Sequence, residues 1–159
     1  MKKILLLIVC LFMVTGCGNE KEDNVDVTLN MDKIKTNLSS LKIGDSNPYG
    51  NVDSVNDLDL IEGYGIDVSL LDEYVIYISS SVEDPSMYMV LNVKEGNESV
   101  VKYQVNDMFN KYLSAYKGYY PEAAGMIEAK MEKEYSDYLI YIISNDNQKV
   151  YNKILECKE

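Results

Sequence analysis

Histidine, the usual general base near neutral pH and the commonest transition-metal ligand, is missing altogether from this chain of 159 residues. Trypsin-like triads and zinc-water centres of the usual kind are thereby excluded. Carboxylates, hydroxyls and a few thiols remain. Among 26 acidic residues, Glu83 with Asp84, or Asp57 with Asp59, have the chemistry for acid and base roles in sugar hydrolysis. Nothing in their spacing sets two carboxyls across a cleft, and a solvated surface accounts for them. Ser79, Ser80 and Ser81 have no identifiable base. The stretch Asp45-Ser-Asn47-Pro-Tyr-Gly50-Asn51-Val-Asp53 partly matches a calcium loop, with oxygen-bearing side chains at Asp45, Asn47 and Asp53 and glycine at the sixth position. It departs at Tyr49 and at Asn56, where a bidentate Glu belongs. Polar turn chemistry explains the same residues, so no metal and no other cofactor is expected.

Charge narrows the partners. The net charge is −11 and every basic residue is lysine, which removes the two-pronged arginine grip on phosphate and carboxylate. Nucleic acid, whose binding depends on neutralised phosphates, is not an expected partner, and neither are anionic lipid head groups. Tyrosine is the compositional outlier, at 14 residues against 2 Phe. It couples a flat apolar face to a hydroxyl and suits surfaces that bind sugars or peptides.

Met1 to Gly16 has the parts of a secretory signal: basic Lys2-Lys3, an apolar run from Ile4 to Val14, and small residues before a cysteine. The run is about half of the ~20 residues a spanning helix needs. Val14-Thr15-Gly16-Cys17 resembles a lipobox, which implies a diacylglyceryl group on the Cys17 thiol and cleavage between Gly16 and Cys17. Two acyl chains give the double anchor that stable membrane attachment needs. Losing residues 1–16 would leave 143 residues, and losing their two lysines would take the charge from −11 to −13. Residues 17–28 then form the lipidated cysteine and a polar linker reaching roughly 30 Å from the bilayer, and residues 29–159 form one domain. Of the three cysteines, Cys10 falls in the signal and Cys17 in the anchor. Only Cys157 remains in the domain, on a stripe with Val150 and Ile154 that reads as buried packing.

The elements that must position these groups follow from periodicity. Met31, Ile34, Leu38 and Leu41 predict a first helix over 30–42. Residues 44–59 read as loop. Residues 73–81 and 87–94 predict a hairpin around Glu83-Asp84-Pro85. Asn97 caps a long helix with the stripe Val101, Val105, Met108, Phe109, Tyr112 and Tyr116, ended by Gly118 and Pro121. Residues 129–135 and 138–144 flank Ser136-Asp137 as a second hairpin, and Asn145-Asp146 caps a last helix. The order αββαββα predicts an α+β domain, an antiparallel sheet of about four strands in two hairpins with helices packed on it. Alternation places Met87, Met89, Leu91 and Val93 toward the main core and turns Tyr88, Val90 and Asn92 away. Tyr77, Tyr88 and, more distantly, Tyr141 then form a partly exposed contact surface, with packing beneath the first helix as the alternative.

This arrangement, with Asp59-Leu60-Ile61-Glu62-Gly63-Tyr64-Gly65-Ile66-Asp67 before the first hairpin and Tyr119-Tyr120-Pro121 after the long helix, resembles a family of uncharacterised lipoproteins of low-GC Gram-positive bacteria. That family carries a domain of unknown function, and the resemblance covers about Asp57 to Glu156. It implies an envelope protein and brings no catalytic residues.

The expected function is that of a lipid-anchored, extracytoplasmic lipoprotein on the cell membrane, a non-catalytic module binding an envelope protein or cell-wall component. The alternatives are a carboxylate-dependent hydrolase or transferase acting on envelope polymers, and a small-molecule binding subunit of a transporter. The anchor has a direct test: Cys17→Ser should abolish metabolic fatty-acid labelling and leave an uncleaved precursor. Equal label in both proteins would overturn the assignment of that thiol.

Overall fold

The computed structural model describes residues 27–159 apart from 51, 52, 80 and 82. Cys17, Gly16 and the signal-like segment therefore lie outside the described residues. Among the described residues, no helix is long and apolar enough to cross a membrane.

Helix α1 runs Met31–Ser39, started by Asn30, whose Oδ1 accepts from the Lys33 amide at 2.8 Å. Strand β1 is only Asp53–Ser54. A π-helical turn, Asp59–Tyr64, and a 3-10 turn, Val68–Leu70, lead into β2, Leu71–Ile78. Strand β3, Met87–Val93, completes a hairpin, and α2, Glu98–Lys117, follows. Then come α3, Pro121–Glu128, the hairpin β4, Met131–Tyr135, with β5, Tyr138–Ile143, and α4, Asn147–Leu155. Asp146 caps α4 by accepting from the Lys149 amide at 3.0 Å.

The α+β class, the two hairpins and the antiparallel sheet are as the sequence predicts. The strands lie in the order β1-β2-β3-β5-β4, all antiparallel, with two-residue β1 added at one edge. Helix α3 is a further addition. Pro121, read as a stop, sits at the first helical turn, where its missing N–H costs nothing.

One expectation about the sheet needs correction. Tyr88 and Val90 do not turn away from a core, joining Val75, Tyr77, Ile140 and Ile142 under α1 and α4, while Asn92 is half-buried. The opposite face carries Ile76, Met87, Met89, Leu91, Leu139 and Tyr141 against α2, α3, Leu60 and Ile66. Strands β3 and β5 are apolar on both faces because both faces are covered, the pattern of a sheet sandwiched between helices. The ends of the domain meet: Leu29 bridges Lys158, and the Asn30 amide donates to the Cys157 carbonyl at 2.9 Å. The buried Tyr138 hydroxyl accepts from the Leu29 amide at 3.0 Å.

Tyr77 and Tyr88 are register partners, and their rings stack at 5.2 Å, with Tyr49 edge-on to Tyr88 at 5.0 Å. The Tyr49 hydroxyl donates toward the carbonyls of Met87 and Ile143 at 3.4 and 3.3 Å, whereas the Tyr88 hydroxyl has no partner among the described residues. An unsatisfied buried hydroxyl is destabilising. Tyr88→Phe should therefore raise unfolding stability by about 1 kcal/mol, while Tyr88→Ala should cost about 3 kcal/mol or more by opening a cavity. Denaturant unfolding of the two variants checks this, and a Phe variant less stable than wild type would contradict it.

Candidate functional site

The three tyrosines expected at a contact surface are buried instead. Tyr77 is 7% exposed, Tyr88 0% and Tyr141 4%. The first two lie beneath α1 and the Tyr49 loop, and Tyr141 lies on the opposite face, its ring 5.7 Å from Phe109. Tyr77 and Tyr88 follow the alternative, packing beneath the first helix, because α1 and α4 cover their face, and Tyr141 is covered by α2 on the other.

Of the residues that partly match a calcium loop, Asn47 serves the end of α1. Asn47 donates from Nδ2 to the Ser39 carbonyl at 2.7 Å and accepts from the Tyr49 amide at 3.3 Å. This satisfies one of the carbonyls a helix leaves open at its C-terminus. Asp45 is exposed and Asp53 falls in β1. Among the described residues, no group of three or more His, Cys, Asp or Glu is placed to hold a metal ion.

The acid pairs are likewise built into local structure. Asp84 accepts from the Ser86 amide at 2.9 Å and from its hydroxyl at 2.6 Å, closing the β2–β3 turn. Asp57 accepts a hydrogen bond from the Tyr74 hydroxyl, and Asp59 accepts from the Asn56 amide at 3.5 Å. Glu132 and Glu134 share a small cavity of about 270 Å³ with Lys102, Lys133 and Tyr141. Both glutamates come from one strand rather than facing across a cleft, and lysines engage them, Lys130 at 2.9 Å and Lys102 at 2.7 Å.

What the fold does gather is a different set of tyrosines. The stripe of α2 is Val101, Val105, Met108 and Phe109 where it is fully buried, and it turns to half-buried Tyr112 and Tyr116 in the last turns. These two stand one helical turn apart, rings 4.7 Å centre to centre and hydroxyls 3.1 Å apart. Tyr120, just past the helix end, is held by its amide donating to the Tyr116 carbonyl at 2.8 Å, and its ring lies 5.9 Å from that of Tyr116.

The fourth member, Tyr64, ends the π-helical turn. Gly65 follows at φ +70°, a left-handed conformation that favours glycine, and its amide donates to the Leu60 carbonyl. Buried Leu60 and Ile66 pin this turn to the core containing Val101 and Val105, and the Asp67 amide donates to Gln104 Oε1 at 3.2 Å. Tyr64 is thereby packed, half-buried, against the same side of the core as Tyr112 and Tyr116. Tyr64, Tyr112, Tyr116 and Tyr120 form a half-buried aromatic rim, with Tyr119 beside them 82% exposed.

Burial is the main influence on the phenols here. Burial, then Asp59 and Tyr116, raises the Tyr64 phenol above its ordinary value. Burial raises Tyr112 further, helped by the bond to Tyr116 and by the nearby Tyr64 and Asp84. Tyr74 is pushed up to about 12 by burial and then by its bond to Asp57 and the charges of Asp57 and Asp59.

These observations define a domain whose sheet is enclosed by helices and whose exposed chemistry is an aromatic rim. The model of a domain of unknown function, DUF4358, matches residues 45–144, more than half of the chain, and the chain belongs to that family. Neither a curated protein nor a solved structure matches the chain. The match starts and ends earlier than the 57–156 expected from the sequence. It contains the whole rim, while α1 and α4 lie outside it.

Phenols raised in the fold stabilise it in their neutral form. Their contribution is fully present below the unfolded value of 10.0 and is lost as pH rises through the folded value, about 12 for Tyr74. Unfolding stability should hold up to about pH 10 and fall above it, more gently in Tyr74→Phe. Denaturation series at several alkaline pH values test this, and an identical decline in the variant would contradict it.

Proposed function

We propose that this chain is a lipid-anchored, extracytoplasmic binding module of the kind found in the envelope of low-GC Gram-positive bacteria, tethered through Cys17 and engaging its partner through the tyrosine rim. The observation that carries this reading is the run of half-buried rings Tyr112, Tyr116 and Tyr120 at the end of α2, with half-buried Tyr64 packed against the same side of the core. Interfaces concentrate their binding energy in a few aromatic anchors of this type, which bury area at little conformational cost. The rim rests on α2 and on a turn fastened by two buried side chains, so it is preorganised. Lipid on Cys17 and a polar linker would hold the domain just outside the bilayer, where an envelope protein or wall polymer is within reach.

The reading is tested by crosslinking and capture from intact cells, comparing the full lipidated chain with Tyr116→Ala/Tyr120→Ala and with Tyr103→Ala. Tyr103 projects from α2 at 74% exposure, outside the rim, and serves as the control. The double variant should lose its partners about tenfold while Tyr103→Ala retains them. An unchanged partner set in the double variant would overturn the rim as the contact surface.

A further inference from the structure

We propose that the outer edge of β2 is a docking site for an extended polypeptide segment that carries lysine or arginine and adds to the sheet as a further strand. The site is separate from the tyrosine rim and stands or falls without it. Strand β1 covers only one end of β2: Asp53 and Ser54 pair with Ile78 and Tyr77, and the Val55 amide donates to the Ile76 carbonyl at 3.4 Å. The chain then leaves the edge, because Asn56 Oδ1 accepts from the amides of Leu58 and Asp59 at 3.0 and 3.1 Å and starts the π-helical turn. Asp57 accepts from the hydroxyl of Tyr74, whose ring packs on the α2 side, and so holds that turn on the same side of the sheet. The amide and carbonyl of a strand residue point to one edge, and alternate residues share it. Ile76 turns its carbonyl outward to Val55, so Tyr74, two residues earlier, turns its amide and carbonyl outward as well. Among the described residues, no strand runs alongside them.

A groove of about 280 Å³ follows this edge on the α1 side. Met31, Asp32 and Lys35 of α1 line it, together with Glu73, Val75 and Tyr77 of β2. The Lys35 ammonium is turned to the Tyr77 ring, 5.9 Å from its centre, at the end that β1 covers. The groove therefore combines outward main-chain groups with two carboxylates contributed by different elements, Asp32 from the helix and Glu73 from the strand.

Strand addition draws its affinity from main-chain hydrogen bonds and its specificity from what lies beside alternate side chains. A strand laid along Tyr74 would direct every second side chain into the groove, where Asp32 and Glu73 favour lysine or arginine. Exposed Asp72 on the same strand and the net charge of −11 steer a basic segment toward it. The other outer strand is different. Along β4, Glu132, Lys133 and Glu134 alternate in sign, and Lys130 and Lys102 bind the glutamates at 2.9 and 2.7 Å, a mixed-charge edge of the kind that resists pairing. A second copy of this chain would bring its own Asp72 and Glu73 to the same short edge. Residues 18–26, just upstream, carry Glu20, Glu22, Asp23 and Asp26 against Lys21. Neither complements the groove.

The test uses the full lipidated chain in non-ionic detergent and three capped peptides. One alternates threonine and lysine, one has glutamine for lysine, and one is the lysine peptide with every backbone nitrogen methylated, which keeps the charges but cannot pair as a strand. The lysine peptide should bind and slow hydrogen exchange of the Tyr74 amide about tenfold, while the amides of Val75 and Tyr77, already paired to β3, stay as they were. The glutamine and methylated peptides should bind about tenfold more weakly. Asp32→Asn/Glu73→Gln should weaken the lysine peptide about fivefold, and the charge-matched Glu62→Gln/Glu122→Gln, on exposed residues elsewhere, should not. No binding, binding that leaves Tyr74 exchange unchanged, or equal binding of the methylated peptide would overturn strand addition. Equal binding to both double variants would overturn the assigned carboxylates. Protection of Tyr74 without peptide would also refute the proposal: if it is lost on removal of residues 18–26 the edge belongs to the chain's own upstream segment, and if it grows with protein concentration the edge belongs to a second copy.

Discussion

The structure depends on one constraint, the double-sided burial of the two central strands. Val90, Leu91, Ile140, Ile142 and Ile143 are all fully buried, and they point alternately to opposite faces. Leaving either face open would expose several large apolar side chains, each worth about 1.5–3 kcal/mol of burial. Helices must therefore lie on both sides. The connection between the hairpins supplies α2 and α3 for one face, and the two ends of the chain supply α1 and α4 for the other.

That division explains why the tyrosines fall into two kinds. On the α1 and α4 side the rings of Tyr49, Tyr77 and Tyr88 fill space between sheet and helices, and only some of their hydroxyls are satisfied. On the other side, fully buried packing along α2 comes from Val101, Val105, Met108 and Phe109 and stops before the helix does. Its last turns overhang the core, and tyrosine is well suited to that margin because the ring packs while the hydroxyl meets water or another hydroxyl. Tyr112 and Tyr116 do both.

Much of this arrangement was legible in the sequence, for physical reasons that differ between elements. Asp146 announces the last helix because a short polar side chain before an apolar period has few other uses, and the first helix showed in the period of Met31, Ile34 and Leu38. The hairpins showed because branched and aromatic runs were punctuated by Glu83-Asp84-Pro85 and Ser136-Asp137. The assignment of sheet faces failed because alternation presumes one wet face, and a strand such as Met87–Val93 with apolar residues on both sides carries no such information. Helix α3 was hidden because Pro121 signals an ending and a beginning equally well. Tyr77, Tyr88 and Tyr141, singled out by alternation, are buried, and the half-exposed tyrosines stand at the end of α2. The usable signal was the change along α2 from Val and Met to Tyr, since a stripe that becomes amphipathic marks where a core gives way to a margin.

The joining of the two chain ends has a mechanical consequence. Whatever lies upstream of Val27 enters the domain at Leu29, which is stitched to Lys158 and to the Tyr138 hydroxyl, with the Glu159 amide donating to the Thr28 carbonyl at 3.0 Å. A pull on the chain at Val27 would load that short ladder and the end of α4 ahead of the hydrogen bonds between the main strands. The half-buried tyrosines of α2 lie on the far side of the sheet from this ladder.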